Sequence, residues 1–88
     1  MIRRRVIVSG RVQGVFFRAT CREVARSADV SGWVSNEADG TVHAVFEGEP
    51  DAVDAMIAWC HHGPPGAVVV DVAVTEDEPR GESGFDFR

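Results

Sequence analysis

The spacing of apolar residues changes several times along this chain, and each change marks a predicted element. Residues 3–9 (RRRVIVS) contain a short apolar block after a basic start, which is typical of a strand. From Phe16 the spacing becomes helical, and one apolar face consists of Phe17, Cys21, Val24, Ala25 and Ala28. Another face of this helix carries an arginine at every fourth position: Arg18, Arg22 and Arg26. The start of the chain therefore predicts a strand, a loop over residues 10–15 and a helix.

The middle of the chain predicts a hairpin and a second helix. Residues 32–36 (GWVSN) form the first hairpin strand, and Asp39-Gly40 supplies the positive φ angles that a tight turn requires. Residues 41–47 alternate between two faces, which predicts the returning strand. Acidic residues around Pro50 then favour a helix start, because carboxylates stabilise the positive end of the helix dipole. The apolar stripe of this helix is Val53, Met56, Ile57 and Cys60.

The last part of the chain predicts two more strands. The GPPG motif at residues 63–66 ends the second helix, since proline cannot continue it. Residues 67–75 alternate again, and the valines expected on one face are Val68, Val70, Val72 and Val74. The acidic residues 76–84 predict a loop, and Phe85 and Phe87 in GFDFR predict a short final strand.

The resulting order, β-α-β-β-α-β with a terminal strand, predicts an α+β protein. Each helix has one apolar face, so both helices can cover one face of an antiparallel sheet, as in the ferredoxin-like split-βαβ sandwich. A chain of 88 residues is too short for two hydrophobic cores, so residues 1–88 are expected to form a single domain. Trp33 and Phe46 are expected in the core or beneath a site. Because this fold hosts many functions, the function must be sought in particular residues.

Composition narrows the class of protein further. No run of about 18 apolar residues is present, so no membrane span is expected. The apolar block after the basic start is too short for a signal peptide, which favours a cytoplasmic protein. Cys21 and Cys60 fall at apolar helix positions and are expected to be small buried hydrophobes. A disulfide between them is possible but unsupported in a reducing compartment.

The charge is distributed unevenly along the chain. Residues 1–26 carry seven arginines and one acid, a net charge of +6, whereas residues 27–88 carry two arginines and thirteen acids, a net charge of −11. The arginines are either scattered solvated charges or a local positive field that holds an anion. The overall charge of −5 argues against nucleic acid as a partner, because phosphate backbones require a broad basic surface.

The motif GRVQGVFFR, residues 10–18, is the candidate anion site. Backbone N–H groups at a helix start have no intrahelical partner, and the helix dipole is positive there. Gly10 and Gly14 permit backbone angles and close approaches that a Cβ would block, and Arg18 adds a planar fork for two oxygens. The motif lacks the lysine and Ser/Thr of a Walker loop. An ordinary strand-to-helix turn with a surface arginine is the alternative at this point.

GRVQGVFFR, followed by GWVSN and a DG turn, resembles the acylphosphatase family, and the resemblance extends over nearly the whole chain. It implies an acylphosphatase, a monomeric enzyme without a cofactor that hydrolyses acyl phosphates to a carboxylate and inorganic phosphate. The phosphate would be bound by Arg18 and by the loop Gln13, Gly14, Val15, Phe16 and Phe17. Asn36 would orient the attacking water.

The residues fit this chemistry. A carboxylate leaves readily, so phosphoryl transfer to water depends mostly on positioning and on neutralising the phosphate charge. Asn36 cannot act as a base, but its amide can hold a water molecule. No Ser/His/Asp set, carboxylate pair or metal-binding spacing suggests another mechanism, and His61-His62 is expected to be an exposed helix end rather than a metal site.

Three alternatives remain at this stage. The first is a non-catalytic anion-binding or regulatory module, which would need the loop and Arg18 but not Asn36. The second is an acylphosphatase-like domain of a larger maturation factor that handles carbamoyl phosphate, although no zinc-binding or transferase region follows. The third is an RNA-binding platform, which the missing RNA-binding strand motif and the acidic charge disfavour.

Overall fold

The computed structural model of the protein describes residues 1–88 and contains all seven predicted elements. In chain order they are β1 (Ile2–Arg11), α1 (Phe17–Ser27), β2 (Ser31–Asn36), β3 (Val42–Gly48), α2 (Pro50–Cys60), β4 (Val68–Asp77) and β5 (Phe85–Phe87). The largest differences from the predicted bounds are at β1, which extends two residues into the predicted loop, and at β4, which extends into the predicted acidic loop.

The strands form one sheet in the order β4-β1-β3-β2-β5. The first four strands pair antiparallel, whereas β5 pairs parallel with β2, with Gly32 opposite Phe85 and Val34 opposite Phe87. The expected purely antiparallel sheet is therefore wrong in one respect, because the chain after β4 crosses to the far edge and enters β5 in the direction of β2. The α+β ferredoxin-like fold itself is confirmed.

Both helices pack on one face of this sheet. The apolar stripes predicted for α1 and α2 form a single core with side chains from β1, β2, β3 and β5, in which Val24, Ala28 and Ile57 are only partly buried. Cys21 and Cys60 lie in this core as free thiols, as expected, and burial raises the pKa of Cys60 to about 12. Neither helix is long and apolar enough to cross a membrane.

The two aromatic residues assigned to the core lie on opposite faces of the sheet. Phe46 is fully buried and stacks on Phe85, with 5.8 Å between ring centroids. Trp33 alternates with the buried Val34 and therefore projects from the face without helices, where the Arg88 guanidinium lies 4.4 Å from its ring centroid. The expectation that Trp33 lies in the core or beneath the site is wrong.

A β-bulge changes the inward face of β4. Ser9 lies opposite Asp71 and Gly10 opposite Val69, so Val70 is an extra residue and is 77% exposed. Val69 and Val72 consequently pack against the core, which corrects the predicted face of alternating valines. Gly10 has a φ of 123°, and a Cβ there would lie 2.2 Å from the Val68 carbonyl oxygen. Gly10 is thus a strand residue required by the bulge and does not belong to the anion loop.

Three of the four arginines of β1, Arg3, Arg4 and Arg5, form ion pairs and do not create a free positive field. Arg3 is buried opposite Glu47, and its guanidinium lies 3.0 Å from Glu82, 3.1 Å from Asp77 and 3.3 Å from Glu47. Burial by itself would raise the pKa of Glu47, but N–H groups of Arg80 and Glu82, each 2.7 Å away, and the Arg3 guanidinium lower it. This buried cluster fixes the connection from β4 to β5.

Replacing Glu47 by glutamine should lower the free energy of unfolding at neutral pH by about 3 kcal/mol, because Arg3 loses a buried carboxylate partner. Because folding lowers the pKa of Glu47, its contribution is present above its ordinary value of 4.5 and is lost as the pH falls through the folded pKa. The difference between wild type and Glu47→Gln in urea unfolding should therefore shrink from about pH 7 to about pH 3.

Asp71→Asn is the matched control, because this exposed β4 carboxylate forms no ion pair or hydrogen bond through its side chain. Its effect should stay within about 0.5 kcal/mol. A Glu47→Gln effect of the same size at both pH values would contradict the role given to the Glu47 charge.

Candidate active site

The strand-to-helix turn between β1 and α1 presents a row of backbone donors. Gly14 has a φ of 74° and Phe16 a φ of 66°, and α1 begins directly afterwards at Phe17. None of the N–H groups of residues 13–19 donates a hydrogen bond to another protein group. These donors lie at the positive end of the α1 dipole, so the turn has the arrangement that binds phosphate or carboxylate groups.

The end of β2 lies beside this turn. Because β1 and β2 are both antiparallel to β3, which lies between them, they run parallel and finish at the same edge of the sheet. A pocket of about 350 Å³ opens there and is lined by Gly14, Phe16, Phe17, Arg18, Asn36 and Phe87, among others. The structure thus brings five of the seven predicted site residues to the wall of this pocket, and adds Phe87.

Gln13 and Val15 belong to the predicted loop but their side chains do not line the pocket. The Nε2 atom of Gln13 donates hydrogen bonds to the carbonyl oxygens of Glu37, at 2.7 Å, and Thr41, at 3.0 Å. Val15 packs against the core. Gln13 therefore joins the loop to the hairpin turn that follows Asn36, and this bridge fixes the two sides of the pocket relative to each other.

Arg18 is the one arginine that lines this pocket, and it has no carboxylate partner. Its side chain forms no ion pair or hydrogen bond, and its guanidinium lies 5.3 Å from the centroid of the Phe87 ring. Arg22, one turn later, is 3.0 Å from Asp86, and Arg26 is 3.4 Å from the same carboxylate. The Phe87 N–H and the Arg22 guanidinium lower the pKa of Asp86, so its negative charge persists into acid. Arg18 is therefore the arginine whose guanidinium is free to bind an anion in the pocket.

Asn36 ends β2 opposite Val42, and its exposed side chain forms no hydrogen bond with the protein. The preceding Ser35 is buried, and its hydroxyl donates to a Glu37 carboxylate oxygen at 2.6 Å. The two neighbours therefore differ in what they can do. The hydroxyl of Ser35 holds the turn, whereas the amide of Asn36 is free to bind a water molecule at the pocket.

Phe87 is the site residue that sequence reasoning missed. Its ring borders the pocket and contacts both Arg18 and Arg22, the latter at 4.1 Å from the ring centroid. The GFDFR motif predicts a short final strand that contains Phe85 and Phe87. It does not reveal that this strand pairs with β2, and that pairing carries Phe87 to the pocket.

Metal-ligand geometry is lacking on this surface and elsewhere in the chain. No three His, Cys, Asp or Glu side chains are grouped so as to hold a metal ion. His61 and His62 lie exposed just after α2.

Comparisons with known proteins agree with this geometry. The family model for acylphosphatase matches residues 4–87. The chain belongs to the acylphosphatase family. Among curated relatives, the acylphosphatase of Natronomonas pharaonis is 53% identical over 99% of this chain and 95% of its own length. That of Rubrobacter xylanophilus is 59% identical over 96% of this chain and 77% of its own length.

Several solved structures share the fold closely. The crystal structure of acylphosphatase from Bacillus subtilis superimposes with a TM-score of 0.96 at 36% identity, covering 100% of this chain and 99% of that one. Full-length HypF, in a phosphate- and nucleotide-bound form, contains a similar region with a TM-score of 0.90 at 28% identity. The match covers 99% of this chain but only 12% of the HypF chain.

Replacing Arg18 by alanine should weaken the binding of inorganic phosphate by roughly 10- to 100-fold, because two charge-assisted hydrogen bonds are lost. Arg18→Lys should restore little of this affinity, since an ammonium group cannot bind two oxygens in one plane. Isothermal titration calorimetry at constant ionic strength measures both variants.

Arg11→Ala is the matched control for the Arg18 variants. Arg11 is also exposed and without an ion pair, but it lies in β1 and does not line the pocket. Its loss should change the phosphate affinity only slightly. Equal losses for Arg11→Ala and Arg18→Ala would indicate a diffuse electrostatic effect instead of a binding site.

Proposed function

We propose that this member of the acylphosphatase family hydrolyses acyl phosphates with Arg18, Asn36 and the loop of residues 13–17. The balanced reaction is R–CO–O–PO₃²⁻ + H₂O → R–COO⁻ + H₂PO₄⁻. The observation that carries the proposal is one pocket in which an unpaired arginine, unpaired backbone N–H groups and a free asparagine amide meet. The curated acylphosphatases that the chain matches at 53–59% identity place it among hydrolases of acid anhydrides.

Phosphate binding is the task of the turn and Arg18. The N–H groups at the start of α1 can donate to the phosphate oxygens, and the helix dipole favours their negative charge. Arg18 can bind two of the oxygens at once through its guanidinium fork. Arg22 and Arg26 share the carboxylate of Asp86 and do not line the pocket, so Arg18 is the arginine that can contact the phosphate directly.

Asn36 would orient the nucleophilic water. A side-chain amide does not titrate at neutral pH, so Asn36 can accept a hydrogen bond from the water or donate one to it but cannot remove its proton. The oxygen of the water forms a bond to phosphorus while the bond from phosphorus to the carboxylate oxygen breaks. The proton passes to a phosphoryl oxygen, which leaves H₂PO₄⁻.

This mechanism depends on positioning and charge. Phosphoryl transfer needs the attacking and leaving oxygens roughly in line and the phosphoryl charge stabilised. The loop that holds phosphorus is tied to the hairpin turn after Asn36 by the two hydrogen bonds from Gln13. The carboxylate product is stable as an anion, so a protonating side chain near the leaving group is unnecessary.

Domain organisation, oligomeric state, partners and cellular compartment can be proposed from the same structure. We propose that residues 1–88 act as one domain and as a monomer, because they form one core and because the β1–α1 turn, β2 and β5 together complete the wall of the pocket. The net charge of −5 and the pairing of most arginines with acids disfavour nucleic acid as a partner. Free thiols at Cys21 and Cys60 suit a reducing compartment such as the cytoplasm.

The direct test is hydrolysis of benzoyl phosphate by the purified wild-type protein, followed by the loss of the acyl phosphate absorbance. We expect turnover that is unaffected by EDTA and inhibited competitively by inorganic phosphate, because phosphate occupies the same N–H groups. Activity that disappears in EDTA and returns with a divalent cation would contradict the mechanism. No turnover, with phosphate binding intact, would instead support an anion-binding module.

Asn36→Ala separates catalysis from binding. We expect kcat to fall by at least about 100-fold, because the attacking water loses the amide that orients it. The inhibition constant of phosphate should change little. Ser35→Ala is the control, since this neighbour stabilises the turn through Glu37 without lining the pocket. That variant should unfold at a lower temperature but turn over normally once folded. If Asn36→Ala behaves like Ser35→Ala, Asn36 has only a structural role.

A further inference from the structure

Phe16 is the residue whose position the fold itself does not explain. Its side chain is 80% exposed, although a phenylalanine ring is normally buried. It is also held at a φ of 66° and a ψ of 25°, in the left-handed region that disfavours residues with a Cβ. Phe16 is absent from the core, and its ring pairs with no other aromatic ring.

The neighbouring Phe17 already anchors this turn to the core. Phe17 is almost fully buried, and its ring lies 5.0 Å from that of Trp59 between the two helices. Because Phe17 already anchors the start of α1, Phe16 adds nothing to the anchoring. The left-handed backbone at Phe16 instead leaves its exposed ring at the wall of the pocket. A strained backbone that carries an exposed aromatic ring at a binding pocket points to a ligand contact.

The pocket has room and apolar surface beyond the needs of a phosphate group. Its volume of about 350 Å³ lies within the range of small-molecule sites, and a phosphate of five heavy atoms would fill only part of it. The phosphate-binding groups are Arg18 and the N–H groups of the turn. The remaining wall includes Phe16 and the 40% exposed Phe87. The substrate part that such surfaces can contact is the acyl group.

We infer that the ring of Phe16 forms the wall of an acyl-group subsite and favours acyl phosphates with flat, apolar acyl groups over those with small aliphatic ones. The inference rests on the proposed function, because it concerns the acyl half of the same substrate. A flat acyl group gains dispersion and hydrophobic contact against an aromatic ring, whereas an acetyl group covers too little of the ring to gain as much. The Phe16 ring contacts only the acyl group, whereas the Phe16 N–H belongs to the phosphate-binding turn, so its side chain is specificity-determining.

The test compares kcat/KM for benzoyl phosphate with kcat/KM for acetyl phosphate in the wild type, Phe16→Gly and Phe16→Asn. Both substitutions remove the ring, and both residues tolerate the left-handed backbone. We expect the benzoyl-to-acetyl ratio to fall by roughly tenfold in both variants. The different intrinsic reactivities of the two substrates cancel when a variant's ratio is divided by that of the wild type.

Three further measurements make the result decisive. Phe16→Tyr keeps a flat ring and should retain the wild-type ratio. The inhibition constants of benzylphosphonate and methylphosphonate, which are not hydrolysed, should show the same loss of preference in Phe16→Gly. A loop that is merely loosened would lower kcat/KM for both substrates by one factor, and the unchanged ratio would overturn the inference. A wild type that hydrolyses neither substrate would refute the proposed function itself.

Discussion

The parallel course of β1 and β2, with β3 antiparallel between them, is the constraint on which the site depends. Strands that run in the same direction end at the same edge of a sheet, so whatever follows β1 and β2 must meet there. The turn into α1 follows β1, and Asn36 ends β2. The short parallel strand β5 adds Phe87 at the same edge. Three segments distant in sequence thus form one pocket without any long loop.

Two hydrogen bonds convert this coarse alignment into a defined geometry. The side-chain amide of Gln13 binds the carbonyl oxygens of Glu37 and Thr41, which belong to the hairpin turn next to Asn36. A loop and a turn at the edge of a sheet would otherwise move independently. The charges are also arranged locally, because Arg22 and Arg26 share the carboxylate of Asp86, whereas Arg18 has no carboxylate partner. Binding is therefore local, although the protein as a whole is acidic.

The parts of the structure that were predictable from the sequence are those set by local rules. Helical spacing identified the buried residues of both α1 and α2, and the glycine-containing motif identified the turn with Arg18. Non-local pairing was not predictable. The bulge at Val70 depends on the pairing of β4 with Gly10, and the parallel direction of β5 depends on the crossover after β4. The burial and ion pairing of Arg3 depend on Glu47, which is 44 residues away in the sequence. The roles of Arg18 and Asn36 remain predictions, although the structure places both at one pocket.

The left-handed backbone at Phe16 has a consequence for how this protein can change during evolution. The exposed side chain is free of the core, so most substitutions there leave packing untouched, in contrast to the adjacent Phe17. The φ of 66° nevertheless limits which residues can replace Phe16. Glycine and asparagine adopt this backbone conformation with little strain, whereas β-branched residues clash with the backbone. Substitutions at position 16 can therefore change the wall of the pocket during evolution, but only a small set of residue types is tolerated there. Substrate preference can then drift while thermal stability is retained.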